Sequence, residues 1–390
     1  MTAHSDISLV FIELGVAIIA LAVLTRIANS WGFSAIPLYL IAGLAFGNGG
    51  LIPLRFSANF VQIGAEIGVI LLLFMLGLEH TGEELAANIG AGLFAGIVDF
   101  ALNFSPGLVA GLFIGWSPLA AILLGGITYI SSSGVTARLL ADRGNSENKV
   151  TSIVISILVI EDLAMALYLP LIAVFLIGQN LEIAIFNIII ALVTVALVLF
   201  VAVRYGKVLS RLVVHQSDEV LLLTTFGLVL LIAGISQSLQ VSAAIGAFLV
   251  GIAISGPIAE RAHKLLGPLR DLFAAIFFLF FGLQIDPATL PPVLPAAISL
   301  GVLTALTKII TGWSAIRQKG GELFAGLRAG AALVARGEFS IVIAGMGVGV
   351  GLENQLGALS AAYVLFLAGL GPILFRLMEP FRKKENHGEE

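Results

Sequence analysis

Leu72-Leu73-Phe74-Met75-Leu76-Gly77-Leu78-Glu79 returns 205 residues later as Phe277-Phe278-Leu279-Phe280-Phe281-Gly282-Leu283-Gln284. The same offset lays Glu66 on Asp271. At an offset of 208, Ile41-Ala42-Gly43-Leu44-Ala45 matches Leu249-Val250-Gly251-Ile252-Ala253. Solenoids repeat every 20 to 50 residues or so. An interval this long describes a chain built from two related halves instead. Both matched stretches are continuous apolar runs, so the medium in which they fold comes next.

Of 390 residues, 59 % are hydrophobic and only 11 % charged, with a net charge of −4. The mean hydropathy is +1.07. Soluble domains carry about 45–50 % apolar and about 25 % charged residues. A soluble domain is excluded, and so is a disordered chain. The near-neutral balance excludes nucleic acid, which needs clustered Lys and Arg. The absence of cysteine removes disulfides, thiolate metal sites and cysteine nucleophiles. His4, His80, His215, His263 and His387 fall in expected loops or termini. Neither H-E-x-x-H nor a P-loop occurs. No resident metal, cofactor or enzymatic reaction is expected. The expected class is an all-α polytopic protein of the lipid bilayer.

A helical span takes about 20 mainly apolar residues. Thirteen are expected, near 7–25, 33–47, 59–78, 86–114, 118–141, 150–177, 182–203, 218–236, 240–256, 268–284, 292–315, 322–350 and 356–378. They make one transmembrane domain over 1–378 and leave a short tail at 379–390. No basic region or small-residue cleavage site marks the first span, which is expected to be retained. Lys and Arg gather in cytoplasmic loops. The loops after spans 1, 5, 7, 9 and 11, with the tail, hold 15 of the 20 basic residues, and the even-numbered loops hold only Arg55. This parity puts the C-terminus in the cytoplasm and the N-terminus outside, in a cell membrane. The matched stretches lie seven spans apart, an odd number. The halves, about 33–177 and 240–378, therefore point in opposite directions. Inverted repeats mark secondary transporters, which bind cargo near the midplane at broken helices.

The offset of 205 also carries Ser131-Ser132-Ser133 onto Arg336-Gly337-Glu338. Both are polar interruptions of apolar spans. They suit helices that unwind in mid-membrane and offer their freed ends to ions. An ionisable residue in a span costs roughly 2.5–3.5 kcal/mol on insertion scales. Glu161 and Asp162 sit at the middle of 150–177, too deep and too short to reach water. Neighbouring carboxylates at that depth ionise together only when a cation is present. That is the competition a shared cation and proton site needs. Lys308, in mid-span, reads either as a snorkelling lysine, as the ion-pair partner of Asp162, or as a proton donor. Arg336 and Glu338 read as a pair that stabilises the break or as part of the site. Glu66 and Asp271 read as helix-terminal or interfacial rather than as ion ligands. Asp99 lies mid-span near Asn103 and Pro106, and no role follows for it.

These motifs resemble the monovalent cation:proton antiporters of the second cation/proton antiporter branch, which includes glutathione-gated potassium efflux systems and bacterial sodium/proton exchangers. The resemblance rests on Gly64-Ala65-Glu66-Ile67-Gly68-Val69 with Leu76-Gly77-Leu78-Glu79, the serines 131–133, and Glu161-Asp162. Ala243-Ala244-Ile245-Gly246-Ala247-Phe248, Gly282-Leu283-Gln284-Ile285-Asp286, Lys308 and Arg336-Gly337-Glu338-Phe339 complete it, in order and spacing across essentially the whole chain. It implies a thirteen-helix inverted-repeat fold with two crossing discontinuous helices and a homodimer. The family's essential aspartate maps to Asp162 and its core lysine to Lys308. Glu161 departs from the Asp, Asn or Gln usual before that aspartate. Potassium efflux members usually carry a nucleotide-binding domain after the last span. None follows here, so any gating domain is a separate regulatory subunit or absent.

The expected function is exchange of K+ or Na+ for H+ by alternating access. Asp162 takes cation or proton in turn, Glu161 tunes its affinity, and Ser131, Ser132 and Ser133 complete an oxygen shell. Lys308 compensates Asp162 when no cation is bound. The alternatives are a sodium-coupled solute symporter on a similar fold and a cation channel gated by a separate partner.

Overall fold

The computed structural model describes residues 2–31, 34–47, 58–79, 82–141, 148–177, 216–238, 243–254 and 257–378. The seventh expected span, 182–203, and the tail 379–390 lie outside the described residues. The described residues form helices α1 (Thr2–Trp31), α2 (Ile36–Phe46), α3 (Ala58–Glu79), α4 (Gly82–Ile114), α5 (Pro118–Tyr129), α6 (Ser133–Ala141) and α7 (Asn148–Ile177). After these come α8 (Asp218–Ser238), α9 (Ala243–Ala253) and α10 (Pro257–Leu283), a 3₁₀ turn (Pro287–Thr289), α11 (Leu290–Gln318), α12 (Leu323–Ala332), α13 (Glu338–Gly349) and α14 (Leu356–Leu377). Eight segments among the described residues are long and apolar enough to cross a membrane, and α2, α12 and α13 are shorter apolar helices.

Local chemistry sets several helix ends. Ser117 caps α5 by accepting from Ala120 N, with Pro118 at the first helical position. Asp218 and Glu219 open α8, while Arg317 and Arg376 close α11 and α14. Each charge complements the helix dipole. One expectation needs correcting at this level. The tenth span begins at Pro257 rather than near 268, so Arg261 and Lys264 lie on α10 and not in a loop. The reason is amphipathic spacing. Ala259, Ala262 and Leu266 fall on one face and are buried, and Pro268 is absorbed inside the helix.

The contacts divide the chain into two units: Met1–Phe56, Gly90–Leu163 and Phe281–Glu390 in one, Ser57–Ile89 and Ala164–Phe280 in the other. Each draws on both repeat halves. In the first unit, Val135, Leu139, Val154, Ile157, Ala329 and Phe375 belong to one buried core. In the second, Leu71, Phe74 and Met75 of α3 pack with Val229 of α8, Ala247 and Val250 of α9, and Leu266 of α10.

Close glycine approaches show how the halves are related. A Cβ on Gly77 of α3 would collide with Phe248 O and lie 2.9 Å from Gly251 Cα of α9. A Cβ on Gly282 of α10 would collide with Leu40 O and lie 2.9 Å from Gly43 Cα of α2. Gly77 matches Gly282 at the offset of 205, and Leu40 and Gly43 match Phe248 and Gly251 at 208. One contact is thus made twice, once inside each unit, with the halves exchanging roles. Copies docked as separate beads would keep each contact within its own half. Reciprocal exchange is the mark of a two-fold relation. The offset holds elsewhere in the first unit: Gly107 packs on Leu124, and Gly312 on Ala329, again 205 residues on.

Gly77→Val and Gly282→Val are expected to destabilise the protein alike, by about 1–3 kcal/mol or more, because both helix pairs are forced apart. Gly227→Ala, where nothing lies within 4 Å of the new Cβ, is expected to leave stability unchanged or slightly raised. Thermal melting of the detergent-purified variants checks all three.

Candidate functional site

The two polar interruptions become two breaks that meet inside the first unit. α5 stops at Tyr129 and α6 resumes at Ser133, while α12 stops at Ala332 and α13 resumes at Glu338. Ser132 N donates to Ala335 O at 2.9 Å, so one break pairs with the other through backbone. A Cβ on Gly337 would lie 2.5 Å from Ser132 Oγ. Ser132 and Gly337 are themselves repeat-related at 205, so the equivalent positions touch where the halves meet.

Breaking a helix frees carbonyls and N–H groups that hydrocarbon cannot satisfy. Their partners here are side chains. Arg336, fully buried, reaches Thr128 O through Nη2 at 2.8 Å and Nε at 3.2 Å, and through Nη1 reaches Leu333 O at 2.9 Å and Val334 O at 3.0 Å. One guanidinium therefore covers the C-terminal ends of both α5 and α12, where the dipoles are negative. Thr136 Oγ1 donates to Ala332 O at 2.9 Å and Ser340 Oγ to Ile127 O at 2.9 Å. Glu338 stands at the start of α13 and accepts from Ser132 Oγ at 3.1 Å and Ser133 Oγ at 3.4 Å. Of the two readings of Arg336 and Glu338, a mutual pair is not what forms, and both residues belong to the support of the breaks. The guanidinium is taken by carbonyls, and the carboxylate takes serine hydroxyls at the positive helix end.

The second part of the site joins the breaks to α4, α7 and α11. Glu161, at the middle of α7, accepts from Ser131 N at 2.5 Å and from Ser131 Oγ at 2.9 Å. Its Oε1 also lies 2.7 Å from Lys308 Nζ of α11. Ser131 Oγ reaches Leu333 O at 2.9 Å as well. The Lys308 ammonium is bound on its other side by Asp99 of α4, at 2.8 and 2.9 Å to the two carboxylate oxygens. It also sits 5.4 Å from the centre of the Tyr129 ring. The expected partner of Lys308 was Asp162. The carboxylates that hold it are Asp99 and the neighbouring Glu161, because consecutive residues of a helix point about 100° apart. Asp162 lies beside them on α7 and is 6 % exposed. Glu66 and Asp271 are surface residues of the second unit, and Asp271 pairs with Arg270 at 2.7 Å.

The sequence reading left Asp99 without a role and did not mark the groups that support it. Asn103 Nδ2 donates to Asp99 Oδ1 at 2.9 Å and to Thr311 Oγ1 at 3.2 Å, and Thr307 Oγ1 donates to Asn103 Oδ1 at 2.8 Å. Thr128 Oγ1 reaches Asn103 O at 2.8 Å. A signal existed. Asp99 and Asn103 are four apart, and Thr304, Lys308 and Thr311 form a polar stripe at helical spacing in an apolar span.

Residues 15–378 match the family described as "Sodium/hydrogen exchanger, transmembrane". The chain belongs to that family. It is 35 % identical over 371 residues to the K(+)/H(+) antiporter subunit KhtU of Bacillus subtilis, covering 93 % of this chain and 92 % of that protein. It is 29 % identical over 356 residues to the ammonium/H(+) antiporter subunit AmhT of Alkalihalophilus pseudofirmus, covering 89 % and 87 %. In structure it resembles the sodium proton antiporter MjNhaP1 of Methanocaldococcus jannaschii, with a TM-score of 0.67 over 96 % of each chain at 16 % identity. That likeness establishes a shared fold. Members of this exchanger family are multi-pass membrane transporters and not enzymes.

Arg336→Lys tests the double cap. An ammonium cannot span both helix ends as a planar fork does, so at least one carbonyl loses its donor. The variant is expected to be destabilised by roughly 1–3 kcal/mol, and Arg336→Met by more. Melting temperatures in detergent check the order wild type, Arg336→Lys, Arg336→Met.

Proposed function

We propose that this cation/proton antiporter exchanges a monovalent cation, K+ or Na+, for protons by alternating access, with Asp162 binding cation or proton in turn. The observation that carries the reading is a charge imbalance inside the first unit. Around Lys308 the imbalance is local: Asp99 and Glu161 share its one ammonium, buried Asp162 follows Glu161 on the same helix, and Arg336 is taken by backbone carbonyls rather than by a carboxylate. A second carboxylate on one ammonium is offset by an incoming cation or by a proton, and each displaces the other. Lys308 is engaged by Asp99 and Glu161, and Arg336 by the helix ends. Asp162 directly follows Glu161 on α7 and is buried at the same depth. It has a short side chain at mid-helix and a small exposed fraction, as a binding group open to one aqueous side at a time requires.

Ser131 supplies oxygen beside Glu161, and the hydroxyls of Ser132 and Ser133, turned to Glu338, line the same break. A hard cation takes such oxygens readily. Lys308, Arg336 and Glu338 hold the frame around the exchange group. The relatives named above are a K+ and an ammonium antiporter subunit. That word supports a separate cytoplasmic regulatory subunit for this chain also. We further assign it to the cell membrane with a cytoplasmic C-terminus, as the distribution of Lys and Arg indicates, and to a homodimer, as the resemblance to the antiporter family implies. The repeat halves, about 33–177 and 240–378, make up one exchanger domain, whose core moves as a rigid body between two openings. Nothing in the family match favours a solute symporter or a channel.

Proton movement in acidified inside-out vesicles tests the reading. Addition of K+ or of Na+ is expected to alkalinise the lumen in wild type, and Asp162→Asn is expected to lower that rate at least about tenfold. Unchanged exchange in Asp162→Asn overturns the assignment.

A further inference from the structure

One ammonium needs one carboxylate for neutrality, yet Lys308 has two. The two are not held alike. Asp99 grips Nζ with both oxygens, at 2.8 and 2.9 Å. Its orientation is fixed by Asn103 one helical turn away, and Asn103 is in turn tied to Thr307 and Thr311 on the helix of Lys308. Asp99 and Lys308 thus form a clamp between α4 and α11, with every participating group on those two helices. Glu161 comes from a third helix and touches Nζ through Oε1 alone, an oxygen that also accepts from Ser131 Oγ. It is also the immediate neighbour of Asp162. The Glu161 contact is short, 2.7 Å, but it is made by one oxygen against two from Asp99, and Ser131 N and Oγ remain as partners of Glu161 when Lys308 is released.

We propose that Asp99 is a positioning residue for exchange: it keeps the Lys308 ammonium when Glu161 turns from Lys308 to join Asp162 around the transported cation. This rests on the reading of Asp162 as the exchange group. Without Asp99, the departure of Glu161 would strand a buried ammonium without a carboxylate, a state the low-dielectric interior strongly disfavours. With Asp99 in place, Lys308 is paired before and after the cation binds, and Glu161 is available as a second anionic ligand. No bond is made or broken in the step. One ion-pair contact on Lys308 is exchanged for one on the cargo, and the charge of Asp99, Glu161 and Lys308 is unchanged throughout.

The proposal makes Asp99 act on cation affinity more than on the maximal rate. In Asp99→Asn, Glu161 is the sole carboxylate left on Lys308 and cannot leave it. The cation KM for vesicle exchange is expected to rise about tenfold or more, the scale seen when a buried charge loses a partner, with a smaller change in the maximal rate per folded protein. Adding Lys308→Met to Asp99→Asn releases Glu161, and KM is expected to return to the wild-type value or below. Asn103→Leu alters no charge but removes the group that orients Asp99, and its KM is expected to rise about threefold. A wild-type KM in Asp99→Asn overturns the proposal. So does a wild-type KM in Asn103→Leu, because Asp99 would then act only through its field. If Asp99→Asn fails to accumulate, the neutral Asn103→Leu and the double variant still decide the question. Asp162→Asn, measured in the same vesicles, reads the exchange assignment independently: it can fail while the KM shifts stand, and it can hold while they are absent.

Discussion

A helix interrupted inside a membrane leaves backbone groups that neither lipid nor the next turn can satisfy, and this chain does it twice in one place. The crossing is stable because the freed groups of each break find partners across the other. Ser132 N takes Ala335 O, Thr136 takes Ala332 O, Ser340 takes Ile127 O, and Arg336 takes Thr128 O with Leu333 O and Val334 O. Remove the second break and Ser132 N, Ile127 O and Thr128 O of the first lose these partners. The two therefore stand or fall together, and the elements around them serve to bring them into contact. Gly312 against Gly330 lets α11 approach α12, and Gly371 against Ala335 lets α14 approach the second break.

The crossing also decides where charge can reside. Helix C-termini carry partial negative charge and N-termini partial positive charge. With Arg336 on the former and Glu338 on the latter, the helix ends are answered locally. Ser131 turns its N–H and hydroxyl outward from the crossing, to Glu161. Through that residue the backbone break reaches α7, and through Lys308 it reaches α11 and α4. Conformation at the break and charge at mid-helix are thus linked by a short chain of hydrogen bonds.

The parts of this arrangement readable in sequence were those with a long signal. The repeat is written in matched glycines, and the structure shows why they match: Gly77, Gly251, Gly43 and Gly282 are positions where two backbones touch and a side chain has no room. The breaks are written as polar runs in apolar spans. Glu161 and Asp162 announce themselves by depth. The partner of Lys308 was not legible, because spacing along one helix says nothing about which face of a distant helix turns toward it. Asp99 lies 209 residues from Lys308 and shares no motif with it. The separate fates of Arg336 and Glu338 were hidden for another reason. Two residues apart in sequence, they look like a pair, but an extended stretch between α12 and α13 sends one back to the helix ends behind it and leaves the other at the helix start ahead.

The offset of 205 yields one more regularity when laid on the site. Lys308 corresponds to Asn103, Arg336 to Ser131, Thr304 to Asp99, and Phe366 and Leu367 to Glu161 and Asp162. The frame is duplicated but the chemistry is not. The first half supplies the buried carboxylates Asp99, Glu161 and Asp162, and the second supplies the buried cations Lys308, Arg328 and Arg336, with Glu338 at the second break. Both ion pairs at Lys308 accordingly join one half to the other. Either half alone would bury charge of largely one sign with no partner, which is strongly destabilising. Had each half kept a balanced set, the ion pairs would close within the halves. The divergence of the copies therefore does two things at once. It binds the halves to each other, and it sets two carboxylates of the first half on the one ammonium of Lys308 from the second.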